Sequence, residues 1–207
     1  IPHEANGEAA EVAEVMGCPV INAGDGSGEH PTQAQLDALT MRRRFGRIEG
    51  LKVAICGDVR HSRVANSNLR ALPLLGAEVR VAGPLELLPG DLPAGVTAST
   101  DFDSAVAGVD VVMVLRIQRA RLEDGIADSL GDYHARYGLT RERLGRAAPN
   151  AIVMHPGPMN GGVEIDGEVA DDRERSAILD QVELGVAVRM ACLDLLTARN
   201  DLHSVNH

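Results

Sequence analysis

The sequence predicts an α/β fold in which a parallel sheet lies under crossover helices. Short apolar runs of strand length recur through residues 45–170, and helix-compatible segments separate them. Strands alternating with helices bury both faces of a sheet, so such strands read as nearly unbroken apolar runs. Each run also ends in a loop carrying glycine, arginine or histidine, which is where ligands sit in sheets of this kind.

Taken in order, residues 4–16 read as a helix, PVINAG (19–24) as a strand, and HPTQAQLDALTMRRR (30–44) as a helix opened by Pro31, a residue favoured in the first helical turn. Together they form one βα unit of a sheet different from the main one. LKVAIC (51–56) is a strand ending at Gly57 and Asp58, followed by a helix from Ser62 to Leu75 that Gly76 closes. EVRVAG (78–83), VDVVMVLR (109–116) and AIVMHP (151–156) are the further strands. The segment 175–199 lacks proline and reads as one long helix. From Val182 to Leu196 it is apolar on nearly every side, which implies burial by more than one partner surface.

Composition excludes several classes. With 20 Lys and Arg against 30 Asp and Glu, the net charge of -10 opposes general nucleic-acid binding, which needs a basic surface. Cys18, Cys56 and Cys192 show no CxxC or Cys/His clustering, so neither a disulfide framework nor a metal site is expected. No stretch is long and apolar enough for a membrane span, and the start has no leader pattern; a cytoplasmic protein is expected. Within 207 residues there is room for one domain and part of a second.

Four loops carry the unusual side chains. In GDGSGEHPTQ (24–33) a glycine-rich turn feeds a helix that presents His30 and Gln33 on one face. Free N–H groups and the helix dipole favour an anion there, although His30 could equally serve as a cap and Gln33 as a solvated side chain. GDVRHSR (57–63) leaves a strand with two arginines; Arg63 is the candidate ligand, while Arg60 and His61 are expected to be solvent-exposed. LRIQRAR (115–121) sets Arg116 and Gln118 two apart, on one side of an extended segment, whereas Arg119 and Arg121 read as surface residues. In HPGPMN (155–160), Pro156 and Pro158 stiffen the backbone after a buried strand. A nucleotide-binding oxidoreductase ranks low. There is no GxGxxG, and Ala82-Gly83 stands where an acidic residue for a ribose is wanted.

These motifs, HPTQ after a GDG turn, GDVRHSR, R-x-Q and HPGP, occur in an order that resembles the aspartate and ornithine carbamoyltransferases, from about residue 15 to residue 198. PVINAGDGSGEHPTQAQLDALT is similar to the aspartate enzymes in particular. The HP-x-P form points the same way, since the ornithine enzymes carry an HCLP motif. The resemblance implies that His30 and Gln33 contact the carbamoyl group of carbamoyl phosphate and that the backbone at Gly157 and Pro158 bonds its amide. It also implies that Arg63, Arg116 and Gln118 hold L-aspartate. His30 is then the catalytic residue, stabilising the oxyanion; His155 shapes its loop, and VEI (163–165) leads into a flexible acidic segment.

The implied product is N-carbamoyl-L-aspartate, in pyrimidine synthesis, with no metal and no organic cofactor. The implied assembly is a homotrimer with interfacial sites, accompanied in some members by other pyrimidine-pathway subunits. By the same resemblance residues 1–33 are the last part of a carbamoyl-phosphate domain, 34–180 an aspartate-binding domain, and 181–207 a C-terminal helix returning to the first domain.

The sequence departs from the family pattern in places. An STRTR-type phosphate loop and the lysine supplied across the subunit interface do not occur in it, and Pro2, Asn66 and Gly161 stand where relatives carry arginine. The competing expectation is therefore a truncated or degenerate homologue that binds aspartate, or serves in assembly, without catalysis.

Overall fold

The computed structural model describes residues 2–117 and 133–204, with side chains through residue 198. Five parallel strands make one sheet: β1 (Lys52–Cys56), β2 (Glu78–Ala82), β3 (Thr97–Ser99), β4 (Val111–Val114) and β5 (Ile152–Met154), in the order β3-β2-β1-β4-β5. The order reverses between β1 and β4, and the crevice at such a switch point is where a sheet of this type takes its ligand.

The helices are α1 (Glu8–Val15), α2 (Pro31–Phe45), α3 (Arg63–Leu74), α4 (Phe102–Val106), α5 (Tyr133–Tyr137), α6 (Arg141–Leu144), α7 (Gly167–Ala170) and α8 (Ile178–Ser204). Successive strand residues alternate between two cores. Val53, Ile55, Val111 and Met113 face Met41 of α2 and Leu69 and Leu72 of α3. Ala54, Cys56, Val112 and Val114 face Phe102, Tyr133, Leu144 and Val169 on the other side. This double burial explains why β1 beyond Lys52, β4 and β5 carry no polar alternation.

The α/β class and the four apolar-run strands appear as expected, with ends trimmed by at most two residues. Three expectations change. PVINAG is not a strand: the Asn22 side chain accepts from Gly24 N at 2.8 Å and bends the chain, and the segment has no neighbouring strand among the described residues. The first helix begins only at Glu8, because Gly7 is left-handed (φ 86°). β3 was not anticipated, being a three-residue edge strand of largely exposed Thr97, Ala98 and Ser99.

Helix α8 starts at Ile178 and lies along α2, burying Gln181, Leu184 and Gly185, with a hypothetical Gly185 Cβ only 3.3 Å from Leu36. Its other side is open: Leu179, Val182, Val186, Met190 and Leu193 are all more than half exposed. The apolar character read from the sequence is thus half buried within this chain. Among the described residues no helix is long and apolar enough to cross a membrane.

Candidate active site

A cavity of about 280 Å³ opens at the carboxyl ends of β1, β4 and β5. Into it converge His30 and Gln33 from the start of α2, Arg63 from the start of α3, Arg116 after β4, and Gly157 and Pro158 after β5. Six of the seven residues singled out in the sequence therefore share one cavity. The seventh, Gln118, lies outside the described residues, as do Arg119 and Arg121. A larger groove of about 520 Å³ between α2 and α3 is lined mainly by apolar side chains such as Ala38, Leu39 and Leu74, and two of its charged residues, Glu29 and Arg70, pair with each other.

Local sequence sets each wall. The GDG turn is held by Asp25, which accepts from Glu29 N at 2.7 Å and Gly7 N at 3.1 Å; these bonds keep its carboxyl below the usual range. Asn66 donates to Ser27 O (2.7 Å) and Gly28 O (3.1 Å) and so ties the same turn to α3. The turn delivers His30 to the N-cap of α2, where its backbone N–H donates to Ser67 Oγ at 2.9 Å. On the opposite wall Ser62 caps α3 by accepting from Ala65 N at 3.1 Å, which places Arg63 in the first turn. Gly24 makes room for that arginine: a Cβ there would sit 2.6 Å from the Arg63 Cζ.

The electrostatics suit an anion. Neither Arg63 nor Arg116 has a carboxylate partner among the described residues, although five other arginines do. His30 is held down to about 4, first by burial and then by the charges of Arg63 and Arg189, so its ring is neutral near pH 7. Its Nδ1 lies 3.4 Å from Thr32 Oγ1; a hydroxyl donating there leaves the ring proton on Nε2.

The β5 loop is anchored from behind. His155 is buried, its N–H donates to Gln181 Oε1 at 2.9 Å, and its Nδ1 accepts from Gly157 N at 2.9 Å. The Gly157-Pro158 bond is cis. Glu164, within VEI, belongs to this buried framework. It is fully enclosed, accepts from Asn160 N, and lies 3.4 Å from His155 Nε2. Arg60 is exposed as expected, but His61 is half-buried, with Nδ1 2.8 Å from the buried Asp58 carboxylate.

Behind the cavity sits a residue that sequence reasoning passed over. Asp37 is fully buried and accepts from three amides: Gln33 Nε2 (3.0 Å), Asn68 Nδ2 (2.8 Å) and Gln181 Nε2 (2.8 Å). Its signal was present as a carboxylate four residues after Gln33, on the helix face that buries Ala34, Leu36, Ala38 and Met41.

A doubly wound sheet whose switch-point crevice gathers a neutral histidine and two guanidinium groups, neither with a carboxylate partner among the described residues, defines an α/β protein with a crevice suited to small anionic molecules. Comparison with known proteins is specific on this point. The model of the aspartate/ornithine carbamoyltransferase Asp/Orn-binding domain matches residues 49–196, and that of the carbamoyl-P binding domain matches residues 1–43. The chain belongs to the aspartate/ornithine carbamoyltransferase family.

It is 60% identical over 200 residues to the aspartate carbamoyltransferase catalytic subunit of Sphingopyxis alaskensis, matching 96% of this chain and 58% of that one. It is equally similar to the corresponding subunit of Rhizorhabdus wittichii, with 96% and 63% covered. The chain thus spans about 60% of the length of these relatives. Among solved structures, aspartate transcarbamoylase from Trypanosoma cruzi superposes with a TM-score of 0.80 in its complexes with N-(phosphonacetyl)-L-aspartic acid and with carbamoyl aspartate and phosphate. Identities are 28% and 30%, and 93% of this chain and 64% of the other are covered in each case.

Proposed function

We propose that this chain forms the aspartate side, and part of the carbamoyl-phosphate side, of an aspartate carbamoyltransferase. The observation that carries the reading is the convergence of His30, Gln33, Arg63, Arg116, Gly157 and Pro158 on one cavity at the switch point. Relatives named for this activity, and a structurally similar enzyme seen with carbamoyl aspartate and phosphate, support it.

In this reading Arg63 and Arg116, with Gln118, bind the carboxylates of L-aspartate, a task suited to the planar fork of guanidinium. The α-amine attacks the carbonyl carbon of carbamoyl phosphate, a C–N bond forms, and the C–O bond to phosphate breaks. Phosphate leaves with the electron pair, and the amine proton passes to it. His30 donates to the carbonyl oxygen as negative charge develops, and its neutrality is no handicap because donation needs only an N–H. Positioning supplies most of the remainder. Residues 1–33 then belong to a carbamoyl-phosphate domain, 34–180 to the aspartate domain, and 181–207 to the returning helix. The complete protein is read as a cytoplasmic homotrimer in pyrimidine synthesis.

A carbamoylation assay tests the reading, first on this chain and then with a full-length catalytic subunit that supplies the family's phosphate loop and lysine. Production of N-carbamoyl-L-aspartate in the mixture above that of the added subunit is expected; aspartate binding with no such gain would favour the non-catalytic homologue. In the full-length subunit His30→Ala is expected to lower kcat by roughly a hundredfold while changing the KM for aspartate less than threefold. An unchanged kcat would remove His30 from the chemistry.

A further inference from the structure

We propose that Asp37 is a positioning residue that turns the Gln33 amide so that its carbonyl oxygen, and not its NH₂, faces the cavity. The site then selects a donor carrying N–H over one carrying methyl at the same place. The inference rests on the carbamoyl-transfer reading and adds a specificity determinant to it.

An ionised carboxylate can only accept hydrogen bonds. The three amides around Asp37 must therefore all present their NH₂ groups to it, as they do at 2.8–3.0 Å. For Gln33 this spends the donor end on the protein interior and leaves Oε1, which takes no hydrogen bond among the described residues, as the end available to the cavity that Gln33 lines. Gln181 resists a concerted flip. Its Oε1 accepts from His155 N at 2.9 Å, and reversing it would set donor against donor in a buried place.

The same carboxylate thereby fixes both walls, one through Gln33 and the other through Gln181 and His155 to the Gly157-Pro158 loop. An acceptor at this position bonds the NH₂ of carbamoyl phosphate. Against the methyl of acetyl phosphate it is left unpaired, and a buried polar group left without a partner is what gives a site its discrimination.

Two measurements test the proposal. In the full-length subunit, the ratio of kcat/KM for carbamoyl phosphate to that for acetyl phosphate is compared across Asp37→Asn, Gln33→Leu and the double variant. Each single variant is expected to lower the ratio about tenfold, and Asp37→Asn to add less than about twofold once Gln33 is Leu, because it acts through that amide. An undiminished ratio in Asp37→Asn, or a loss that persists in the Gln33→Leu background, would overturn it.

The second measurement needs no activity and holds even if Asp37→Asn fails to fold. In the chain itself, the side-chain NH₂ protons of Gln33 are expected to exchange with solvent at least tenfold more slowly than those of exposed Gln35. Equal exchange rates would sink the inference even in an active enzyme. Protected Gln33 protons in a protein that transfers no carbamoyl group would instead sink the transfer reading and leave the orientation standing.

Discussion

His30 and Asp37 are two buried ionisable groups, about two helical turns apart along α2, and their values shift in opposite senses. Burial raises the Asp37 carboxyl from 3.8 to about 6, with its three amide bonds pulling the other way. Between those values the folded protein holds a proton that the unfolded chain has released, so this group's contribution declines as pH rises from about 4 to 6 and is level above. The span amounts to roughly 3 kcal/mol. For His30 the order is reversed. The unfolded chain is protonated below 6.5 and the folded protein only near 4, so stability falls as pH drops through that window. Urea unfolding at pH 4.5 and pH 6.5 should therefore show Asp37→Asn gaining on the parent protein as pH rises; a pH-independent difference would contradict a raised Asp37. Arg63→Ala removes one of the charges that hold His30 down, and its imidazole should titrate at higher pH in an NMR titration.

At the scale of elements, the crevice depends on how closely β1 and β4 approach at their carboxyl ends. Gly57 sits there with φ 122°, and a Cβ would lie 2.8 Å from Leu115 O, a backbone atom unable to yield without moving β4. Gly57→Ala should cost about 2 kcal/mol or more in thermal unfolding and displace Arg116 from the cavity, read as weaker aspartate binding. The strands around this point were legible because double burial writes an unbroken apolar run, as in Val111–Val114. β3 was not, since an exposed three-residue edge strand leaves no such trace. PVINAG had strand-like composition, but composition does not report an Asn22 turn or a missing neighbour. Arg63, Arg116 and the HPGP loop were legible as anomalies at strand ends. Asp37, Asn68 and Gln181 look ordinary one at a time, and only tertiary packing joins residues 144 apart.

For the whole molecule, α8 shows where this chain is unfinished as a surface. Leu179, Val182, Val186, Met190 and Leu193 recur every three or four residues and form one apolar stripe exposed to water. A stripe of this kind promotes association. Sedimentation velocity should show concentration-dependent self-association of the 207-residue chain. Replacing Val182, Val186 and Met190 together by Gln should suppress it while shifting the unfolding midpoint by no more than a few degrees, because these side chains bury little within the chain.

The carboxylate of Asp37 also bears on how the protein is made. A ribosome releases the chain from its N-terminal side, so Gln33, Asp37 and Asn68 are in place long before Gln181, the third donor, is translated. A nascent chain stalled before α8 would hold all five strands, yet the backbone N–H of His155 would lack its acceptor and the cavity walls their common tether. Ligand-binding competence would then arrive only with α8, well after the sheet whose strand ends frame the site.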